Sequence, residues 1–252
     1  MIQTKIKTCL AAAALALALA MPLAASAVGT LASGFSSSTF NNNGELPWGA
    51  HTDNGTEYYT TTNSSGQPCV TMSGGVLTLT SYHIVQNGLH YQSGVVWGKT
   101  EIPASGYSYA TVDVDIKAPY AGTTGCWPAW WLDSAWNWPP EIDIAEFKGN
   151  VGGGNVWQNA IGSSGGWTCV ISTVSTTAFH HYGLALGPIA SGERTYQLFL
   201  DSVLKSQGSI PDGQGGVPFW VIANYAMEGA SLTPGPTYTT TIQMENYVLA
   251  TH

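Results

Sequence analysis

Tyr109-Ala110-Thr111-Val112-Asp113-Val114-Asp115-Ile116-Lys117, closed two residues later by Pro119, alternates apolar and polar side chains without a break. A period of two marks a β-strand with one face in a core and the other in water. Similar runs recur on both sides of it between Gly, Pro and Asn punctuation. They are Gly75 to Thr80, Glu141 to Phe147, Tyr182 to Leu186, Tyr196 to Leu200, Pro218 to Tyr225 and Tyr238 to Leu249. The segment from Val28 to about Asn63 is rich in Ser, Asn, Gly and Thr and reads as an irregular lead-in with short strands. No helical stripe is seen outside the N-terminal leader. Many short strands with regular turn signals predict a β-sandwich or barrel, and no repeat, linker or second domain is evident.

The leader reads as a secretory signal peptide over residues 1–27. Lys5 and Lys7 make a positive start, an Ala- and Leu-rich run follows from Cys9 to about Ala20, and Pro22 breaks it before Ala25-Ser26-Ala27. That small-residue pattern is a cleavage site. A spanning helix needs about 20 apolar residues, more than this run supplies. An exported product, secreted or periplasmic, is therefore expected, with residues 28–252 forming one domain. Loss of Lys5 and Lys7 takes the formal charge from −8 to −10. So cation-poor a surface argues against nucleic acid, acidic membranes and sulfated or uronic polymers as partners. Cys69, Cys126 and Cys169 remain, and an oxidising compartment permits one disulfide among them, with the pairing open. No Cys-x-x-Cys or His-x-x-x-His spacing points to zinc.

The chemistry concentrates in Glu141-Ile142-Asp143-Ile144-Ala145-Glu146. In a strand, Glu141 and Asp143 share a face and Ile142 and Ile144 take the other. Strict alternation would put Ala145 rather than Glu146 on the acidic face. A one-residue bulge at Ile144-Ala145 restores Glu146, and bulges favour active sites. Three carboxylates on one face repel and raise at least one pKa. A glycosidase needs that split between an ionised nucleophile and a protonated acid. Four strand steps separate the glutamate backbones by about 13 Å. Side chains leaning together approach the retaining spacing of about 5–5.5 Å rather than the inverting one. The competing readings are a solvated acidic strand face and a calcium site, although a flat strand converges oxygens poorly.

At these residues the chain resembles glycoside hydrolase family 16, the laminarinase, lichenase, agarase and carrageenase group, in its bulged Glu-x-Asp-x-x-Glu form. Gly125-Cys126-Trp127-Pro128-Ala129-Trp130-Trp131-Leu132 is similar to the family's Gly-x-Trp-Pro-Ala-x-Trp-Leu segment, and Tyr91-Gln92-Ser93-Gly94 to its Tyr-Thr-Ser-Gly. Tyr109 to Pro119, Phe179 to Tyr182 and Tyr196 to Asp201 fall on further family strands, so the likeness runs from about Glu57 to Val248. It implies an all-β jelly-roll sandwich of two curved antiparallel sheets, concanavalin A-like, with an open cleft. It also implies Glu141 as nucleophile, Asp143 as its helper and Glu146 as acid/base. The chain departs from the family at Asp115 and Val95, where Arg is common, and near Asn159 or Ala160, where a His is common. Asn246 stands where many members carry a calcium-binding Asp, which weakens the case for a structural calcium. No organic cofactor is expected.

Trp127, Trp130, Trp131, Trp136 and Trp138 precede the acidic strand. Indoles stack on the apolar faces of sugars while offering an N–H. Parity places Trp127 and Trp131 in the cleft and Trp130 in the core, while Trp136 and Trp138 lie in a Pro-bounded loop that could wall the cleft. His180 and His181 read as structural. The expected activity is retaining endo-hydrolysis of a neutral β-linked polysaccharide, β-1,3- or β-1,3-1,4-glucan first, by a monomer. The alternatives are an agarase-like or transglycosylating relative and a non-catalytic glycan-binding jelly roll.

Overall fold

The computed structural model describes residues 29–135, 138–149, 154–212, 216–229 and 233–252. The leader and Trp136 lie outside these residues. In chain order the first strands are β1 (Gly29–Ser33), β2 (Phe40–Asn41), β3 (Glu57–Tyr59), β4 (Val70–Ser73), β5 (Val76–Gln86), β6 (Leu89–Ser93) and β7 (Val95–Gly98). Then come β8 (Ala110–Lys117), β9 (Cys126–Ser134), β10 (Glu141–Glu146), β11 (Asn155–Ile161) and β12 (Trp167–Thr173). The last are β13 (His180–Leu186), β14 (Glu193–Leu200), β15 (Val203–Pro211), β16 (Phe219–Met227) and β17 (Thr240–Thr251).

These strands make two packed sheets, a jelly-roll sandwich. One sheet runs β15-β14-β13-β8-β17-β5-β6-β3, with β1 on β17 and β4 on β5. The other runs β12-β11-β10-β9-β16-β7-β2. The two sheets are antiparallel, as expected, with one parallel pairing in them, β3 against β6. A parallel pair needs a crossover connection, and the long link from β3 to β6 through β4 and β5 provides one.

The core lies between the sheets, as the alternation predicts. On β8, Val112, Val114 and Ile116 are buried, and Asp113 and Asp115 face outward. Ile142 and Ile144 of β10 meet them from the other sheet, together with Trp130 and Leu132 of β9. Each such aliphatic side chain contributes about 1.5–3 kcal/mol on burial. The lead-in serves the core directly. Phe35 and Phe40 pack with Tyr247 around Trp130, with ring centroids 6.0, 6.2 and 5.5 Å from the indole. No disulfide joins Cys69, Cys126 and Cys169, so the cross-link that the sequence permits does not form. Hydrophobic burial between large sheets makes one unnecessary at this chain length.

The expected bulge is present. Opposite β9, Asp143 pairs with Trp131 and Ala145 with Trp130, so Ile144 is the extra residue. Opposite β11 the register slips between Asp143 and Glu146. The slip turns Glu146 back to the face that carries Glu141 and Asp143.

Candidate active site

That face floors an open cleft of about 1110 Å³ crossing β9, β10 and β16. Glu141, Asp143 and Glu146 line it together with Trp127, Trp131 and Trp138. Trp130 is fully buried on the other side of the sheet, as parity requires.

Each carboxyl has its own partners. Trp138 donates its indole N–H to Glu141 Oε2 at 2.6 Å. The Trp138 ring is 64% exposed, so its face is open for stacking. Glu141 in turn hydrogen-bonds Asp143. Asn159 donates its side-chain nitrogen both to Asp143 Oδ2 (2.7 Å) and to Glu146 Oε2 (2.8 Å). Trp127 donates its indole N–H to Glu146 Oε1. Trp131 spends its N–H on Asn224 Oδ1 (3.1 Å) and meets Trp48 edge-on, so it builds the floor of the cleft. Gly229 allows this arrangement. Its φ is +54°, and a Cβ there would collide with the Trp127 ring, so only glycine brings the chain past that indole.

Crowding shifts the acids as expected. Burial, then the charge of Asp143, raises Glu141 well above the ordinary glutamate value. Burial, then Glu146, pushes Asp143 up to about 8. Two groups from the lead-in and β9 join them. Burial and Asp53 bring Asp133 to about 7, although Ser134 N–H bonds to it and opposes the rise. Burial and Glu146 bring Asp53 to about 6. Asp53 is held in place because Glu57, buried beneath, accepts from Asp53 N (3.0 Å) and Met227 N (2.9 Å).

Sequence reasoning missed Trp48, Asp53, Asp133, Lys148, Asn159 and Asn224. Two of these were within reach of the parity argument. Asp133 shares the parity of Trp127 and Trp131, and Lys148 that of Glu146. Asn159 needed the β10–β11 register, which places it opposite Asp143.

The remaining flagged residues lie away from the cleft. His180 contacts Asp201 (2.7 Å), and His181 sits between Asp113 (3.3 Å) and Asp115 (2.9 Å) on the outer face of the other sheet, a structural placement. Asn246 donates to Asp115 Oδ2 there at 2.7 Å. Among the described residues no three His, Cys, Asp or Glu side chains converge as a metal site.

The family model for glycosyl hydrolases family 16 matches residues 55–186. A galactan endo-β-1,3-galactanase of Flammulina velutipes is 30% identical over 162 residues, covering 63% of this chain and 62% of that protein. The endo-1,3-1,4-β-glycanase ExsH of Rhizobium meliloti (strain 1021) is 27% identical over 173 residues, covering 65% of this chain and 35% of that protein. The chain thus spans less than two thirds of the length of these curated relatives. Among solved structures, the laminarinase catalytic domain of Thermotoga maritima MSB8 superposes with a TM-score of 0.66 at 17% identity, covering 89% of this chain and 98% of that one. The laminarinase of Rhodothermus marinus gives 0.63 at 20% identity, covering 88% and 93%. The two superpositions carry the jelly-roll fold. The family match spans just over half of the chain and takes in the bulged acidic strand, so the chain belongs to glycosyl hydrolases family 16.

Proposed function

We propose that this chain is an exported, retaining endo-glycoside hydrolase acting on a neutral β-linked polysaccharide, with β-1,3- and β-1,3-1,4-glucans as first candidates. One observation carries the reading: Glu141, Asp143 and Glu146 share one face of an indole-lined open cleft, brought there by the bulge. An open cleft admits a polymer along its length, which suits internal cleavage. The cleft is poor in cations. Among the described residues lining it, Lys148 is the sole Lys or Arg, and its ammonium is held by Glu146 at 2.9 Å. This supports a neutral substrate.

In the first step the Glu141 carboxylate attacks the anomeric carbon. As that bond forms, the glycosidic C–O bond breaks and its oxygen takes the Glu146 proton. Asp143 keeps the proton that the pair shares while Glu141 is the attacking carboxylate, so the crowded pair does not carry two full charges. In the second step Glu146, now a carboxylate, takes a proton from water. The water oxygen displaces Glu141 from the anomeric carbon with a second inversion. Trp138 keeps the Glu141 oxygen oriented and Trp127 does the same for Glu146.

A β-1,3-galactan is the second candidate, favoured by the Flammulina velutipes relative. Laminarin, mixed-linkage β-glucan, β-1,3-galactan and agarose, incubated with the protein and assayed for new reducing ends, separate these cases. Mid-sized oligomers from a β-1,3-linked polymer are expected. A folded protein that binds one polymer and releases nothing overturns the hydrolase reading in favour of transglycosylation or binding alone. Export rests on the leader. N-terminal sequencing of the exported protein is expected to begin at Val28, and a product that retains the leader counts against cleavage.

A further inference from the structure

Among the described residues Lys148 is the one cation lining the cleft, and its surroundings are unusual. It follows Glu146 by two residues, with Phe147 between them turned into the core. Its Nζ lies 2.9 Å from Glu146 Oε2. The same nitrogen lies over three indoles, 5.2 Å from the Trp127 and Trp157 ring centroids and 5.9 Å from that of Trp167. Burial alone would lower the ammonium, but Glu146 and then Asp143 outweigh it and hold it above the ordinary lysine value.

Glu146 therefore receives three donors: Lys148 and Asn159 on Oε2 and Trp127 on Oε1. Such charge-assisted donation favours the anion, and it leaves one acceptor site on Oε1 open. A proton taken on that site cancels the charge that holds Lys148. Asn159 is pinned because its nitrogen also serves Asp143, and Trp127 is pinned against Gly229. Lys148, on a flexible four-carbon stem, is the one that can let go. The indole faces give the released ammonium a favourable place inside the cleft, where an unpartnered cation would otherwise be costly.

We propose that Lys148 is a positioning residue for the acid/base. It holds Glu146 as an anion when that group must accept a proton, and it withdraws onto the indole cage when Glu146 carries one. This rests on the retaining-hydrolase reading. The other titratable groups facing Glu146 are Asp143 and Glu141 on its own strand, Asp133 on β9 and Asp53 from the lead-in. The Cys169 thiol on β12 faces Lys148. Among the described residues lining the cleft, Lys148 is the one cation set against these four carboxyls.

The test is a ¹³C-carboxyl NMR titration of glutamate-labelled protein, with the Glu146 signal assigned through Glu146→Gln. In Lys148→Met the Glu146 midpoint is expected to rise by about one pH unit or more, the effect of losing an opposite charge at contact distance. Lys148→Arg is expected to keep it near the wild-type value. Lys148→Gln serves the same purpose if the Met variant does not fold. An unmoved midpoint in a folded variant overturns the proposal. On a polymer that the wild type cuts, the alkaline limb of kcat/KM is expected to rise with the NMR midpoint, and a limb that stays behind also overturns it. The titration needs no turnover. Failure to cut any polymer therefore counts against the hydrolase reading, while the NMR midpoint still judges Lys148.

Discussion

Glu141→Gln is expected to lower reducing-end release on the order of 10³-fold or more while polymer binding is retained, because it removes the attacking group and leaves the cleft intact. The amide oxygen can still accept from Trp138, so the loop geometry is kept. The same change is expected to stabilise the domain. Glu141 and Asp143 both have folded-state values above their unfolded ones, with Asp143 moving from 3.8 to about 8. For such acids the folded chain binds more protons than the unfolded chain across the window between the two values. Their contribution is fully present below the unfolded value, and it is lost as pH rises through the folded one. The wild type should therefore lose stability between about pH 4 and pH 8. Glu141→Gln should flatten that slope and melt a few degrees higher at pH 7, a trade of activity against stability. Assays and melting curves at pH 5 and pH 8 read both effects. Unchanged turnover would remove Glu141 from the mechanism.

The largest stability loss is expected outside the carboxylate cluster. Arg194 of β14 and Asp212 just after β15 form a fully buried pair at 2.8 Å. The guanidinium also donates to Val217 O and lies 4.9 Å from the centre of the Phe219 ring. Asp212→Ala leaves a buried cation with no counter-charge, a loss of about 3–5 kcal/mol. For a chain of this size that corresponds to a fall in Tm of about 10 °C. Removing both charges, as in Arg194→Met with Asp212→Leu, is expected to recover most of the loss, since well-packed apolar replacements of buried pairs are often neutral. Thermal melts of the single and double variants decide this. A single variant that melts with the wild type would show that the pair is not needed as a pair.

What could be read from the sequence was whatever depends on parity within one strand. Val112, Val114 and Ile116 inward with Asp113 and Asp115 outward, Ile142 and Ile144 in the core, and Trp130 opposed to Trp131 all follow from a period of two. The bulge was legible too, because without it Glu146 would lie on the wrong face. What stayed hidden depends on register between strands. Asn159 reaches Asp143 only through the β10–β11 pairing, and Asn224 reaches Trp131 through β16. Trp48 and Asp53 come from a stretch whose Ser- and Asn-rich composition gives no periodicity to argue from. The parallel pairing of β3 with β6 and the Arg194–Asp212 pair are likewise products of tertiary placement, which local spacing does not encode.

β17, the last strand in chain order, lies in the middle of its sheet, between β8 and β5, and also pairs with β1 from the opposite end of the sequence. On the ribosome, β5 and β8 have no neighbour to close the gap between them until Thr240–Thr251 has emerged. The sheet is then sealed by contacts spanning nearly the whole chain, the kind that form slowly because a large loop must close first. Closure of this sheet therefore waits for the twelve residues of β17, and the polypeptide that precedes them remains open until they arrive.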